Sequence, residues 1–253
     1  MPSHRTIIRR GFTIWEAIAA LLIVTIIFAV LLPSLQNARL DSRRSVCASN
    51  LGTIGQALQS YLDDHNNEFP TVPNNNAWMW GGVSISNDGT VSDLDPARPL
   101  NAYLPHVLVD AHGNHVCRCP GDCGITDRTG RIGTGSRTAF QSFGTSYRAN
   151  VDLFDASRMG HLEDEIYRGV HLTEITTPPS RMLVLGDPIW FEVSERTDRD
   201  ANWHQGERAG NFLFLDGSVR FVEVTPHDEV GPVVVDPIMV GTTPRSVRRS
   251  PVR

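Results

Sequence analysis

A stretch near the N-terminus sets the first limit on what this chain can be: from Phe12 to Leu35 the only charged residue is Glu16. Between Ala17 and Leu32 every residue is apolar except Thr25. At a rise of ~1.5 Å per residue such a helix covers about 36 Å, more than the ~30 Å hydrocarbon layer of a bilayer. The composition therefore predicts a membrane-spanning helix over residues 12–35. A secretory signal peptide has the same basic-then-apolar form, and Arg5, Arg9 and Arg10 do precede the run. Two features speak against it. Pro33-Ser34-Leu35-Gln36 follows the apolar run and offers no small-x-small cleavage site. A carboxylate at the start of the apolar region also has no use in a signal peptide.

A carboxylate in hydrocarbon costs roughly 3 kcal/mol or more, so Glu16 needs a reason to be there. The residues around it supply one. Gly11-Phe12-Thr13-Ile14-Trp15-Glu16 resembles the cleavage and methylation site of type IV pilins and type II secretion pseudopilins. The resemblance implies cleavage between Gly11 and Phe12 by a prepilin peptidase and N-methylation of the new terminal Phe12. It also implies an assembly role for Glu16, whose carboxylate would face the amine of Phe12 in a neighbouring subunit. Pro33 falls where that family often carries a helix proline, while Trp15 replaces the commoner aliphatic residue. A methylated amine stays cationic, so the two groups can compensate each other in low dielectric.

Beyond Pro33 the pattern turns amphipathic. Cys47, Leu51, Ile54, Leu58 and Tyr61 recur at helical spacing. The stripe predicts that the helix continues through residues 36–66 and stops near Asp63-Asp64-His65-Asn66-Asn67. It is too short for a coiled coil and is expected to pack on a C-terminal domain. Gly52 and Gly55 each weaken such a helix by about 1 kcal/mol.

Residues 66–105, rich in Asn, Gly, Pro and Asp, read as long loops in which Trp78 and Trp80 serve packing rather than sugar binding. Strand signals follow at residues 181–185, 211–215 and 218–222, the last two flanking Asp216-Gly217. Asp-Gly between two apolar runs is a strong hairpin signal, because glycine accepts a positive φ at no steric cost. The expected fold class is α+β: a long N-terminal membrane-spanning helix, then a small antiparallel-sheet head with long loops over residues 67–227. Residues 228–253 are expected to form a flexible tail.

A net charge of −5 argues against a nucleic-acid partner. No P-loop, dinucleotide fingerprint or nucleophile elbow occurs, so neither a cofactor nor an enzymatic activity is expected. His204, Asp187 and Asp216 could be ligands or a hydrolytic set, but both aspartates are accounted for by turns. Cys117, Cys119 and Cys123, with His112 and His115 upstream, suggest a zinc site, though the spacing is not the usual C-x2-C pair. No EF-hand-like run points to calcium. Outside the cytoplasm, disulfides among Cys117, Cys119 and Cys123, with Cys47 as natural partner for one, are the stronger expectation, and no metal is assigned.

The resemblance continues in Cys47-Ala48-Ser49-Asn50-Leu51, Tyr61, Phe69-Pro70, Cys119-Pro120, Ser146-Tyr147 and His204…Asp216-Gly217. These are similar to a large group of pilin-like proteins, although the eleven residues between His204 and Asp216 exceed that group's spacing. The whole implies residues 1–11 as a leader and a single-pass protein of a bacterial inner membrane. Its N-terminus would be cytoplasmic before cleavage and its head periplasmic. Its partners would be the prepilin peptidase, membrane lipid, other pilin-like subunits and the secretion or pilus machinery. Its function would be assembly into a type II secretion pseudopilus or pilus-like filament. The alternative is an anchored extracytoplasmic binding or surface protein that shares only the export signal.

Overall fold

In the computed structural model the first element is α1 (Ile14–Asp64), a single helix of 51 residues. The structure describes residues 14–72, 76–86, 91–105, 115–127, 137–155, 168–190, 199–200, 203–204, 209–223, 239–240 and 243–244. The leader, with Gly11 and Phe12, and most of the expected tail lie outside them. The chain divides into two compact units, Met1–Ser42 and Arg43–Arg253.

In the first unit the helix is long and apolar enough to cross a membrane. Its apolar side chains are not buried by protein. Among the described residues, every exposed large hydrophobic except Val46 and Phe221 lies between Ile14 and Leu35. The one hydroxyl in the apolar run, that of Thr25, donates to the Leu21 carbonyl at 2.7 Å. That is how a polar group is satisfied where no water is at hand.

In the second unit the predicted stripe is the core face of α1. Cys47, Leu51, Ile54 and Leu58 are buried, joined by Ala57 and Leu62, with Tyr61 at the edge. The helix stops within the predicted cluster because Asn66 and Asn67 both adopt positive φ, 52° and 62°. Asparagine tolerates that region better than other residues with a side chain. Gly55 has a reason to be glycine: a Cβ there would sit 2.9 Å from Cδ1 of Leu213, whereas one at Gly52 would meet nothing within 4 Å.

The strands are β1 (Val83–Ile85), β2 (Val91–Leu94), β3 (Thr126–Asp127), β4 (Arg148–Ala149) and β5 (Leu183–Gly186). They continue as β6 (Arg199–Asp200), β7 (Ala209–Phe214), β8 (Val219–Glu223), β9 (Met239–Val240) and β10 (Thr243–Pro244). Two short helices, α2 (Ala139–Phe143) and α3 (Val151–Phe154), flank β4 in the chain. The principal sheet is antiparallel, in the order β4-β5-β7-β8. Three two-stranded ladders pair β1 with β2, β3 with β6 and β9 with β10. The last ladder falls inside the segment expected to be a tail.

The predicted hairpin is present. Phe214 donates to the Ser218 carbonyl and Gly217 donates to the Phe214 carbonyl, both at 2.9 Å, with Gly217 at φ 78°. This is a three-residue loop whose left-handed position falls to glycine. Every residue of β7 is buried. One face, carrying Leu213, belongs to the main core with the α1 stripe, and the other packs Phe212 and Phe214 against Leu183, Ile189 and Trp190. The ladder of β5 is irregular between Leu183 and Leu185, which lets both Val184 and Leu185 join the main core. Trp80 is fully buried, its indole donating to the Tyr147 carbonyl at 2.9 Å, and Trp78 stacks on Phe143. Both tryptophans pack, as expected.

After α1 the chain is tied to residues 168–174. Phe69 donates to the Val170 carbonyl and Leu172 to that of Asn67. Arg168 pins this segment by donating to both carboxylate oxygens of Glu174, at 2.9 and 2.6 Å. With the His171 amide, these donors hold the Glu174 carboxyl down to about 2. A depressed carboxyl stabilises the fold fully above its unfolded value of about 4.5 and loses that contribution as pH falls toward 2. Acid unfolding of Glu174→Gln should therefore be less steep than that of the parent between pH 4.5 and 2. Equal slopes would show that the pair contributes nothing there.

Candidate functional site

Two places in the chain concentrate chemistry, one in each unit. The first is the start of α1. Glu16 lies in the first turn of the helix and is exposed. An acidic side chain there is favourable by about 0.5 kcal/mol through the helix dipole alone. Gly11 and Phe12 lie outside the described residues.

The second place is a buried centre in the other unit, built by four segments far apart in sequence. Cys47 comes from α1 and Cys119 from the loop before β3. They form a disulfide with Cα atoms 5.1 Å apart that spans 72 positions. Asp187 follows β5 directly. Its backbone amide donates to the Asn211 carbonyl of β7 at 3.0 Å, and Asn211 returns a bond from its own amide to Asp187 Oδ2 at 2.7 Å. His204, from the turn before β7, places Nε2 2.9 Å from the same Oδ2. Asp187 and His204 are 1% and 2% exposed.

Each part of this centre is held by its own surroundings. The indole of Trp203 donates to the Gly124 carbonyl at 2.7 Å, and Arg44 donates to the His204 carbonyl at 3.2 Å. The Arg44 guanidinium also lies over the Phe221 ring, which meets the His204 ring edge to face. The Cys119 loop is held by Asp122, which accepts from the amides of Gly124, Ala139 and Phe140 and from Ser146 Oγ, at 2.6–2.9 Å. Asn50, one helical turn past Cys47, donates to the Arg118 carbonyl and to Tyr147 Oη. Residues that carried the sequence resemblance, Cys47, Asn50, Cys119, Ser146, Tyr147 and His204, thus belong to one connected neighbourhood.

Several expectations change here. Cys117 is not oxidised: it is a buried thiol, and burial pushes it up to about 12, which keeps it protonated. Cys123 is exposed and lies outside the disulfide. The local zinc arrangement of Cys117, Cys119 and Cys123 with His112 and His115 is not assembled. Cys119 is taken by Cys47, His112 lies outside the described residues, and His115 Nδ1 accepts the Cys117 amide at 3.0 Å. Burial lowers the His115 pKa, consistent with a neutral ring that accepts a hydrogen bond. The set His204, Asp187 and Asp216 also separates. Asp216 serves its hairpin turn by accepting from the Ser218 amide and hydroxyl. Asp187 both follows a strand and pairs with His204. The convergence of the Asp187–His204 pair on the Cys47–Cys119 disulfide is not legible in the sequence. The partial signals for it were Cys47, Cys119 and His204 in the resemblance motifs and the pairing of His204 with Asp187 as possible ligands.

No protein-family model matches this chain, and no curated protein or solved structure matches it either.

Proposed function

We propose that this chain is a pilin-like, pseudopilin subunit. It is exported, cleaved after Gly11 by a prepilin peptidase, and assembled through its N-terminal helix into a type II secretion pseudopilus or pilus-like filament. One observation carries the reading. The motif Gly11-Phe12…Glu16 leads in sequence into a helix whose large hydrophobic side chains from Ile14 to Leu35 are exposed. Such a surface needs lipid or the same helix of other subunits to cover it. The role is assembly rather than catalysis. The most reactive-looking pair, Asp187 and His204, is buried, at 1% and 2% exposed.

Processing and assembly can be tested together. Removal of residues 1–11 takes away three arginines and no acidic residue, so the formal net charge goes from −5 to −8. Gly11→Val should block cleavage by crowding the scissile bond. The chain would then stay at its full length in the membrane and be missing from sheared surface filaments that contain the parent. If the parent is cleaved yet stays monomeric in the membrane, and never crosslinks to other pilin-like subunits, the anchored surface-protein alternative replaces this reading.

A further inference from the structure

The buried centre holds more ligand chemistry than a disulfide needs. Cys47, Cys119, Asp187 and His204 each offer one ligand atom, and the four atoms lie within 4.8 Å of one another, all in buried residues. We infer that, with the Cys47–Cys119 bond reduced, the two thiolates, the His204 imidazole and the Asp187 carboxylate bind one zinc ion tetrahedrally. This zinc site and the disulfide are alternative states of the same residues. The inference stands on the geometry of the head and does not depend on the assembly proposal.

Three observations support it. The first is the donor set. Two sulfurs, one imidazole nitrogen and one carboxylate oxygen suit zinc. Bond lengths of about 2.3 Å to sulfur and about 2.0–2.2 Å to nitrogen and oxygen place tetrahedral ligands roughly 3.3–3.8 Å apart. Atoms already within 4.8 Å reach that spacing once the sulfur–sulfur bond is opened and the cysteine side chains turn. The second is Asp187. Its Oδ2 is occupied by His204 and Asn211, but its Oδ1 is buried without any hydrogen-bond partner. A buried carboxylate oxygen with no donor is costly, and a cation relieves it. The third is the support around the ligands. Asn211 orients the carboxylate through its backbone amide, and Arg44 and Phe221 fix the His204 turn and ring. Such outer contacts are what a metal site requires. Gly121 contributes space: a Cβ there would lie 3.2 Å from His204 Cε1 and 3.4 Å from Nδ1.

The exchange balances. A dithiol reductant transfers two electrons and two protons to the Cys47–Cys119 bond, giving two thiols and leaving the reductant as its own disulfide. Zinc then displaces the two thiol protons as it binds the thiolates. In the reverse direction a disulfide oxidant takes two electrons from the two thiolates and two protons from water, leaving as a dithiol; the Cys47–Cys119 bond re-forms and the metal loses both sulfur ligands.

The test uses the full chain in detergent micelles, reduced with a phosphine, desalted without oxygen, and titrated with zinc or with cobalt(II) as a spectroscopic substitute. The reduced chain should bind one zinc per molecule, and the oxidised chain should bind none. Cobalt should give the visible absorption of a tetrahedral ion together with a near-ultraviolet thiolate band. His204→Ala and Asp187→Ala should each weaken binding by roughly 100-fold or more, since even outer-shell changes cost about 10- to 100-fold. Cys117→Ala should leave the stoichiometry unchanged. If reduction loosens the head, zinc should restore its resistance to proteolysis in the parent and fail to do so in the two ligand variants. The inference is overturned if the reduced chain binds no zinc, if the oxidised chain binds it equally, or if Cys47→Ser with Cys119→Ser retains binding.

Discussion

Replacement of Glu16 by valine is expected to abolish assembly while leaving membrane insertion, cleavage after Gly11 and stability of the head unchanged. In a lone subunit the carboxylate sits in the first turn of α1, where it can remain near the interface. The helix dipole alone accounts for only about 0.5 kcal/mol, which is too little to select a carboxylate in an apolar segment. In the proposed filament, a cationic Phe12 amine from a neighbouring subunit would change that balance. Charges are worth most where water is excluded, and a buried pair that loses one partner costs roughly 3–5 kcal/mol per contact. If the proposed filament repeats the contact at every subunit, such a loss would remove assembly altogether. Glu16→Asp should be intermediate, because the charge remains on a side chain one methylene shorter. Crosslinks to neighbouring pilin-like subunits and recovery of sheared filaments read the effect. A valine variant that assembles like the parent would reduce α1 to a membrane anchor.

The second large effect is expected from the disulfide. Cys119→Ser opens a loop of 72 positions, and the chain-entropy relation gives about 4 kcal/mol for a closure of that length. A domain of this size is commonly stable by only about 5–15 kcal/mol, so the variant should unfold at much lower denaturant or temperature. Cys47→Ser should cost about the same, because either change removes the same bond. Cys117→Ala is the control, since it deletes one buried sulfur and should cost only about 1 kcal/mol. Equilibrium unfolding of the three variants under non-reducing conditions measures the contrast. If Cys117→Ala lost as much as Cys119→Ser, the pairing would be wrong.

What could be read ahead of the structure was whatever is local in sequence. The α1 stripe from Cys47 to Tyr61 repeats at helical spacing, and those residues, joined by Ala57 and Leu62, form the core face of the helix. The Asp216-Gly217 turn announced its hairpin because the φ requirement falls on a single residue, Gly217 at 78°. The apolar run ahead of Leu35 needed only its length and composition. Less local features stayed hidden. β4 has only two residues, Arg148 and Ala149, too few to show any alternation. The choice of Cys119 over Cys117 as partner of Cys47 is made by the loop that Asp122 holds in place, through bonds to Ala139, Phe140 and Ser146. Spacing along the chain carries none of that. Gly55 looked like a weak point in the helix, and its use appears only where Leu213 packs against it. Asp187 was legible as a strand end and hidden as the partner of His204, because that contact depends on two loops meeting over Asn211.

The mass of the mature N-terminal peptide tests the central claim most directly. Processing as proposed gives a chain that begins at Phe12 with a single methyl group on its α-amine and lacks Arg5, Arg9 and Arg10. A chain that begins beyond Ser34 would show that the apolar run is a removed signal peptide. An intact Met1 would show that no prepilin peptidase acts on Gly11. Either result would contradict the account, because the Phe12 amine that Glu16 is proposed to meet would not exist.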